Sequence, residues 1–362
     1  MNLKTNSKNL YYVGGCVRDE FLGIESRDVD ICYEGDAIEF VQNAGYEILK
    51  IQKDIRTARV LIDNSEIDFA STRKEAYPKQ GHLPVTTEIG CNLTEDLIRR
   101  DFTINSIAKS VLTGEIFDPT GGIKDLENKL LRVHHKNSFK DDPTRILRAL
   151  KFSLRFGFTL EPETKLLQED YLNNINYDMS YSRLKKELVD VFNLNKHEAL
   201  NRFMNEGIYK LLSPNQDYRL PSYNIGPLIE EFEVKEPWLV YIGWMDLSHL
   251  ELTKSEKKII SDFKTLITLS EDADDYEIYK LCKKSDIRSI LLWILNGGEK
   301  QGLKYLRKLS RIELEINGED LKELGFSGKQ IGVIAENILK TKLRSPQMKK
   351  VEEIEMARGL LK

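Results

Sequence analysis

The sequence predicts an α+β N-terminal domain built on one sheet, followed by an all-helical C-terminal half. Three observations carry this. Short β-rich runs alternate with short helical patterns up to His135, apolar residues recur only at helical spacing after Asp141, and the composition is that of a packed protein. Of the 362 residues, 41% are hydrophobic and 31% charged, which excludes wholesale disorder. The length argues for about two to four packed units.

The N-terminal elements follow in order. Tyr11-Val13, Val29-Tyr33, Tyr46-Ile51, Thr57-Ile62, Ile67-Ala70, Glu115-Asp118 and Leu131-Val133 read as strands, because β-branched and aromatic residues cluster between turn residues. Helices are expected near Val17-Leu22, Ala37-Ala44 and Asp101-Lys109. Ser71 to Glu95 carries Pro78, Gly81, Pro84 and Gly90 with little periodicity. At about 25 residues it exceeds a usual connection and reads as a mobile functional loop. From Asp142 onward the spacing of Ile146, Leu147, Leu150 and Leu154, and later of Leu184, Leu188, Val191 and Phe192, is helical throughout.

Several classes are excluded early. Apolar runs such as Ile290-Leu295 fall far short of the roughly 20 residues a membrane span needs, and Met1-Leu10 is polar, so no membrane association and a cytoplasmic location are expected. Cys16, Cys32, Cys91 and Cys282 are scattered without Cys-x-x-Cys pairing, which leaves no readable disulfide framework or zinc site. Net charge is −4, so a polyanionic partner must be met by local basic patches.

The chemistry starts at the N-terminus. Val13-Gly14-Gly15-Cys16-Val17-Arg18 places two glycines between a strand and a helix. There the backbone can approach a phosphate, with helix N–H groups and Arg18 supplying positive potential. In Arg27-Asp28-Val29-Asp30-Ile31 the two aspartates are two apart in a strand, so they share one face while Val29 and Ile31 point to the core. Carboxylates converging beside a phosphate cradle suit Mg²⁺. Glu66 and Asp68 also share a strand face; Asp68 is the expected third carboxylate and Glu66 the alternate. Carboxylates on neighbouring strands can hold two Mg²⁺ ions, one activating an attacking hydroxyl and one steadying pyrophosphate as it leaves.

Further along, Arg99 and Arg100 flank Asp101, with Asn105 on the same face if the segment is helical. Asp142-Pro143 reads as a helix start, which sets Asp142 and Arg145 side by side with Arg148 on the next turn. Cytosine and adenine both offer an exocyclic amine beside an unprotonated ring nitrogen. A carboxylate acceptor plus a guanidinium donor matches that edge and rejects uracil and guanine.

These segments, Gly14-Gly-Cys-Val-Arg-Asp-Glu-Phe-Leu-Gly with Asp28-Val-Asp30, Arg99-Arg-Asp-Phe-Thr-Ile-Asn105, Asp118-Pro-Thr-Gly-Gly-Ile-Lys-Asp-Leu126 and Asp141-Asp-Pro-Thr-Arg-Ile-Leu-Arg-Ala-Leu-Lys-Phe152, resemble in order the motifs of the class II tRNA nucleotidyltransferases, which include the bacterial-type CCA-adding enzymes and poly(A) polymerases. The resemblance implies a polymerase-β-like nucleotidyltransferase head with one mixed sheet (1–138), then a helical neck (139–195), body (196–295) and tail (296–362). It implies CMP and AMP addition to the tRNA 3′ end from CTP and ATP, with Mg²⁺ as cofactor. Asp28, Asp30 and Asp68 would be catalytic, and Asp28 and Asp30 would bind metal. Gly14, Gly15, Arg18, Arg100, Asp101, Asn105, Asp142, Arg145, Arg148 and Lys151 would bind the nucleotide, with Asp142 and Arg145 reading the base.

Two departures stand out: Asp141 occupies the family's usual Glu position, and Lys151 its usual Arg, which keeps charge but loses the bidentate fork. Lys329, Lys340, Lys342 and Arg344 belong to a basic stretch expected to hold an RNA backbone. His134-His135 are expected to be structural, and Phe152, Phe156 and Phe158 to pack in the core. Complete CCA addition, addition of CC only and addition of A only all remain open, and the further alternatives are a poly(A) polymerase, a non-catalytic RNA binder with a relict head, and a nucleotidyltransferase acting on small molecules or proteins.

Overall fold

The computed structural model describes residues 3, 6–26, 29–213 and 218–360. The chain forms two compact units, Met1–Val191 with Asn201–Gln216, and Phe192–Leu200 with Asp217–Lys362. The first unit contains the segment expected as the head (1–138) and the segment expected as the neck (139–195) as far as Val191.

The first unit opens with β1 (Leu10–Val13), α1 (Gly15–Phe21), β2 (Val29–Tyr33), α2 (Ala37–Asn43), β3 (Glu47–Gln52), β4 (Thr57–Ile62) and β5 (Ser65–Ser71). A hairpin of β6 (Arg73–Ala76) and β7 (Val85–Ile89) follows, then α3 (Leu93–Ile98), β8 (Ala108–Ser110) and β9 (Ile116–Phe117). The main sheet has the order β3-β4-β5-β2-β1-β8-β9. It is mixed, since β2 runs parallel to β5 while the other neighbours are antiparallel.

Alternation in the strands divides the core into two layers. On one face Leu10, Ile31, Val60, Ile67 and Phe69 pack against Ala37, Ile38 and Val41 of α2. On the other, Tyr11, Val13, Cys32 and Ala108 pack against Leu93 and Leu97 of α3. Val29 and Ile31 join the α2 layer, so the register of β2 turns Asp30 toward the α3 side.

The chain continues through α4 (Gly122–Glu127), β10 (Leu130–Leu131), α5 (Ser138–Asp141), α6 (Thr144–Phe156), β11 (Thr159–Leu160), α7 (Pro162–Asn173) and α8 (Tyr181–Phe192). β11 corrects the all-helical expectation after Asp142: it pairs in parallel with β10, which is itself shorter than the predicted Leu131-Val133 strand. A two-residue strand is too short to leave an alternation pattern.

Two other expectations are corrected. The helix predicted over Asp101-Lys109 is a 3₁₀ turn at Thr103–Asn105 followed by β8. Every residue from Asp101 to Ala108 is buried, so the segment has no solvent face for an amphipathic helix to present. Ser71-Glu95 is not a structureless loop but holds the hairpin and the start of α3, whose Asn92 cap accepts from Glu95 N at 3.0 Å. Both hairpin strands carry polar residues on both faces, which removes the apolar alternation that would reveal them. The hairpin tip is tied down: Gly81 N donates to Asp141 O at 3.0 Å, and Ser180 N to Gly81 O at 2.8 Å.

The described part of the second unit is helical. The chain runs on through α9 (His197–Asn205), α10 (Gly226–Glu231), α11 (Trp238–Ile242), α12 (Lys254–Leu266), α13 (Asp275–Cys282), α14 (Ile287–Trp293) and α15 (Glu299–Arg307), and the last three helices, α16 (Gly318–Glu323), α17 (Lys329–Arg344) and α18 (Lys350–Gly359), enclose Ile316, Leu321, Phe326, Ile334, Ile338 and Ala357. Among the described residues, no helix is long and apolar enough to cross a membrane.

Candidate active site

The glycine turn does what its sequence requires. Gly14 has φ 72° and ψ −128°, a region open to glycine, and a Cβ there would lie 2.8 Å from Arg100 Nη1. The absent side chain lets Arg100 lie against the turn. Arg100 also donates to Asp96 at 2.9 Å, while its Nε is buried without a partner among the described residues, a donor placed for an anionic oxygen.

From Arg18 a chain of polar contacts crosses the site. Arg18 Nη1 donates to Asn105 Oδ1 at 2.7 Å, and Asn105 Nδ2 donates to Asp101 Oδ1 at 2.9 Å. Arg148 then grips Asp101 Oδ2 through Nε at 2.8 Å and Nη2 at 2.6 Å. The Arg18 guanidinium lies 5.2 Å from the Phe152 ring centre and 4.8 Å from that of Phe156, which fixes its plane. Burial by itself would raise the Asp101 carboxyl; the Arg148 cation and the Asn105 hydrogen bond outweigh it and hold the group well below the usual carboxylate range. Asn105 thus meets Asp101 as expected, through the 3₁₀ turn instead of a helix.

Asp142 and Arg145 are both buried, at 4% and 3% exposure. Pro143 rather than Asp142 is the cap of α6. Asp142 accepts from Thr144 N at 3.1 Å and Thr144 Oγ1 at 2.6 Å, and its other oxygen pairs with Arg183. Arg145 donates to Ser138 Oγ, to Arg99 O at 3.2 Å and to Tyr77 OH at 3.4 Å. The two residues share one wall, each oriented by its own partners.

These groups surround a cavity of about 680 Å³, within the size range of small-molecule sites. Gly14, Gly15, Arg18, Arg100, Asp101, Asn105, Asp142, Arg145 and Arg148 all line it, as does Asp30. Among the described residues, eight cationic and five carboxylate side chains face it, an excess that suits a polyphosphate.

Asp30 and Asp68 are register partners on neighbouring parallel strands and line a second cavity of about 270 Å³. Asp28 lies outside the described residues. The Asp68 carboxylate is taken bidentately by Arg59, Nε to Oδ1 and Nη2 to Oδ2 both at 2.8 Å, and Arg59 reaches Glu66 at 3.3 Å. Glu66 and Asp68 do share a face, but there a guanidinium holds them.

Two expected contacts fall elsewhere. Lys151 does not line the cavity: its ammonium is held by Glu187 at 2.7 Å and Asp190 at 2.9 Å. Lys342 is 4% exposed and sealed against Glu353 and Glu315, so it serves the core of the second unit and presents no charge to RNA. Of the others in that stretch, Lys340 pairs with Glu336 at 3.0 Å, Arg344 lies 3.5 Å from Asp274 and stays exposed, and Lys329 is exposed. His134 Nε2 lies 2.8 Å from Ser106 Oγ; Phe152 packs edge-on against Phe102 and also lines the cavity, beneath Arg18 and Arg148.

Sequence reasoning missed the cavity residues of the hairpin (Arg73, Glu75, Tyr77) and of α8 (Arg183, Lys186, Glu187). For α8 a signal existed, since Arg183, Lys186, Glu187 and Asp190 recur at helical spacing opposite Leu184, Leu188 and Val191.

Comparison with known proteins is consistent with this arrangement. Residues 10–132 match the model of the poly A polymerase head domain. The Thermotoga maritima CCA-adding enzyme, solved in complex with tRNA, is 30% identical, and the match covers 98% of this chain and 92% of that one with a TM-score of 0.78. The chain belongs to the class II tRNA nucleotidyltransferase family. An apo CCA-adding enzyme is 29% identical over 97% of this chain and 92% of that one, with a TM-score of 0.81. The A-adding tRNA nucleotidyltransferase of Aquifex aeolicus is 32% identical over 89% of this chain. The chain spans 43% of the length of that relative and 44% of the A-adding enzyme of Geobacter sulfurreducens. It spans 80% of the A-adding enzyme of Halalkalibacterium halodurans, at 29% identity.

Proposed function

We propose that the protein is a cytoplasmic enzyme that adds CMP and AMP to the 3′ end of tRNA without a nucleic-acid template, using CTP and ATP and releasing pyrophosphate. The observation that carries the reading is the pairing of two functions in one cavity. A buried carboxylate and guanidinium, Asp142 and Arg145, face the same space as the Gly14-Arg100 cradle and Asp30. A base edge and a triphosphate are thereby met together.

Arg18, Arg100 and Arg148 hold the phosphates and ribose, with Asp101 fixing Arg148. Asp30, together with Asp28, would hold Mg²⁺; Asp68 shares the face of Asp30 but exchanges Arg59 for metal only by giving up two hydrogen bonds. When bound, the ion supplies a lowered pKa at the attacking hydroxyl and neutralises charge on the leaving pyrophosphate. Lys329, Lys340 and Arg344, none of them buried on α17, are the residues of the expected set left to contact RNA in that helix.

Addition of A alone is the second reading, favoured by the A-adding relatives of Aquifex, Geobacter and Halalkalibacterium. One experiment tests both. The purified protein is incubated with tRNA ending before CCA, after C, and after CC, with CTP and ATP supplied separately. Complete addition extends all three; A-only addition extends the last alone with ATP. No extension of any primer sinks the proposal.

A further inference from the structure

We propose that Arg73 is a catalytic residue whose guanidinium contacts the phosphoryl group in transfer and stabilises the charge that builds there. The proposal rests on the nucleotidyl-transfer reading above and locates within it a group that the motifs do not include.

Arg73 lines both the 680 Å³ cavity and the 270 Å³ cavity, as do Asp30, Arg99 and Arg100. In phosphoryl transfer the attacking and leaving oxygens approach the phosphorus from opposite sides, roughly in line. The place where two cavities meet beside Asp30 is therefore where an acceptor and a triphosphate can reach one phosphorus atom.

Of the arginines at this junction, Arg99 is held by Asp96 at 2.7 Å and by Glu75 at 3.1 Å, while Arg100 is held by Asp96 through Nη2 at 2.9 Å and keeps the inward-facing Nε described above. Arg73 binds Glu75 through Nε alone, at 2.7 Å, and its two terminal nitrogens have no partner among the described residues. Those nitrogens are the fork that grips phosphate oxygens.

Its position is fixed before substrate arrives. Arg73 N donates to Asp96 Oδ1 at 3.1 Å, Thr72 N to Tyr33 O at 2.9 Å, and Thr72 Oγ1 to Cys91 O at 2.6 Å. Strand alternation puts Arg73 and Glu75 on one face, and Glu75, with its side chain 8% exposed, orients the guanidinium. A preorganised donor of this kind acts on the transition state more than on binding. In the step it serves, the acceptor 3′ oxygen bonds to the α-phosphorus and the bond from that phosphorus to the α,β-bridging oxygen breaks. Pyrophosphate leaves with the electron pair, and the hydroxyl proton passes to solvent.

The test is Arg73→Ala in the full chain, assayed on whichever tRNA primer the unaltered protein extends. We expect kcat to fall about 10²- to 10³-fold, while the Kd of a non-transferable CTP or ATP analogue changes less than about threefold. Guanidinium chloride at low, non-denaturing concentration should restore at least about tenfold of the lost rate. A kcat within about threefold of the unaltered protein, or a loss carried by Kd alone, overturns the proposal. If the alanine variant does not fold, Arg73→Gln, which keeps length and polarity, is judged by the same criteria. An unaltered protein that extends no primer overturns the parent reading instead, so the two failures are distinct.

Discussion

Asp30 sits at the edge of both cavities of the first unit and is itself exposed, so it contributes little to packing. Its alanine variant should melt within about 1 kcal/mol of the unaltered protein, as surface substitutions do. If Asp30 holds metal as proposed, transfer should fall by at least about 10³-fold, because no other carboxylate replaces it at that register position. Thermal unfolding together with a primer-extension rate checks both, and a variant with a substantial rate excludes the metal assignment. Gly14 makes the complementary case. Alanine there would sit in a backbone region costing about 1 to 3 kcal/mol and would press on Arg100 Nη1, 2.8 Å from the added carbon. Nucleotide affinity should drop on the order of tenfold, the worth of one charged hydrogen bond, while tRNA affinity stays unchanged. Equilibrium titration with CTP and with tRNA reads the two separately.

The helices α17 and α18 show how burial reassigns a charge. Glu353 is fully buried and accepts from Glu315 N at 2.9 Å and Ile316 N at 2.7 Å, while Lys342 supplies its counter-charge from α17. Burial alone would lower the Lys342 ammonium; Glu353 and Glu315 outweigh it and raise the group. Replacing Lys342 by Met strands a buried carboxylate and should cost about 3 to 5 kcal/mol. All three tryptophans, Trp238, Trp244 and Trp293, lie in the second unit, so their fluorescence in urea follows this loss directly. A stability unchanged by the substitution would return Lys342 to the RNA-facing surface that its sequence context suggests. A lysine in a basic run reads as solvated; only the packing of Glu353 against it, eleven residues away, reveals the opposite.

Across the whole molecule, legibility follows what each segment buries. The main sheet could be read because its strands alternate between two apolar layers, and the Asp30 register was implied by Val29 and Ile31 packing under α2. The β6-β7 hairpin could not, because Arg73, Glu75 and Tyr77 turn their chemistry to the cavity and leave no apolar face to count. Asp101 to Asn105 misled for the opposite reason, being buried on every side. That same burial couples folding of the first unit to pH through His134. Burial, reinforced by the Arg145 cation and opposed by Asp101, pushes its imidazole down to about 4, with His135 a further cation nearby when protonated. In the unfolded chain the group titrates near its ordinary value of about 6.5. Between those values the unfolded state binds the extra proton, so stability is fully present above about pH 6.5 and falls as pH drops toward 4. The loss at the lower limit is on the order of 3 kcal/mol. Calorimetry of the intact protein from pH 7.5 to 4.5 should show the first unit's transition falling with acid. In His134→Gln, which can keep a hydrogen bond to Ser106, the slope should flatten; an equally steep acid limb in that variant would assign the dependence to other groups.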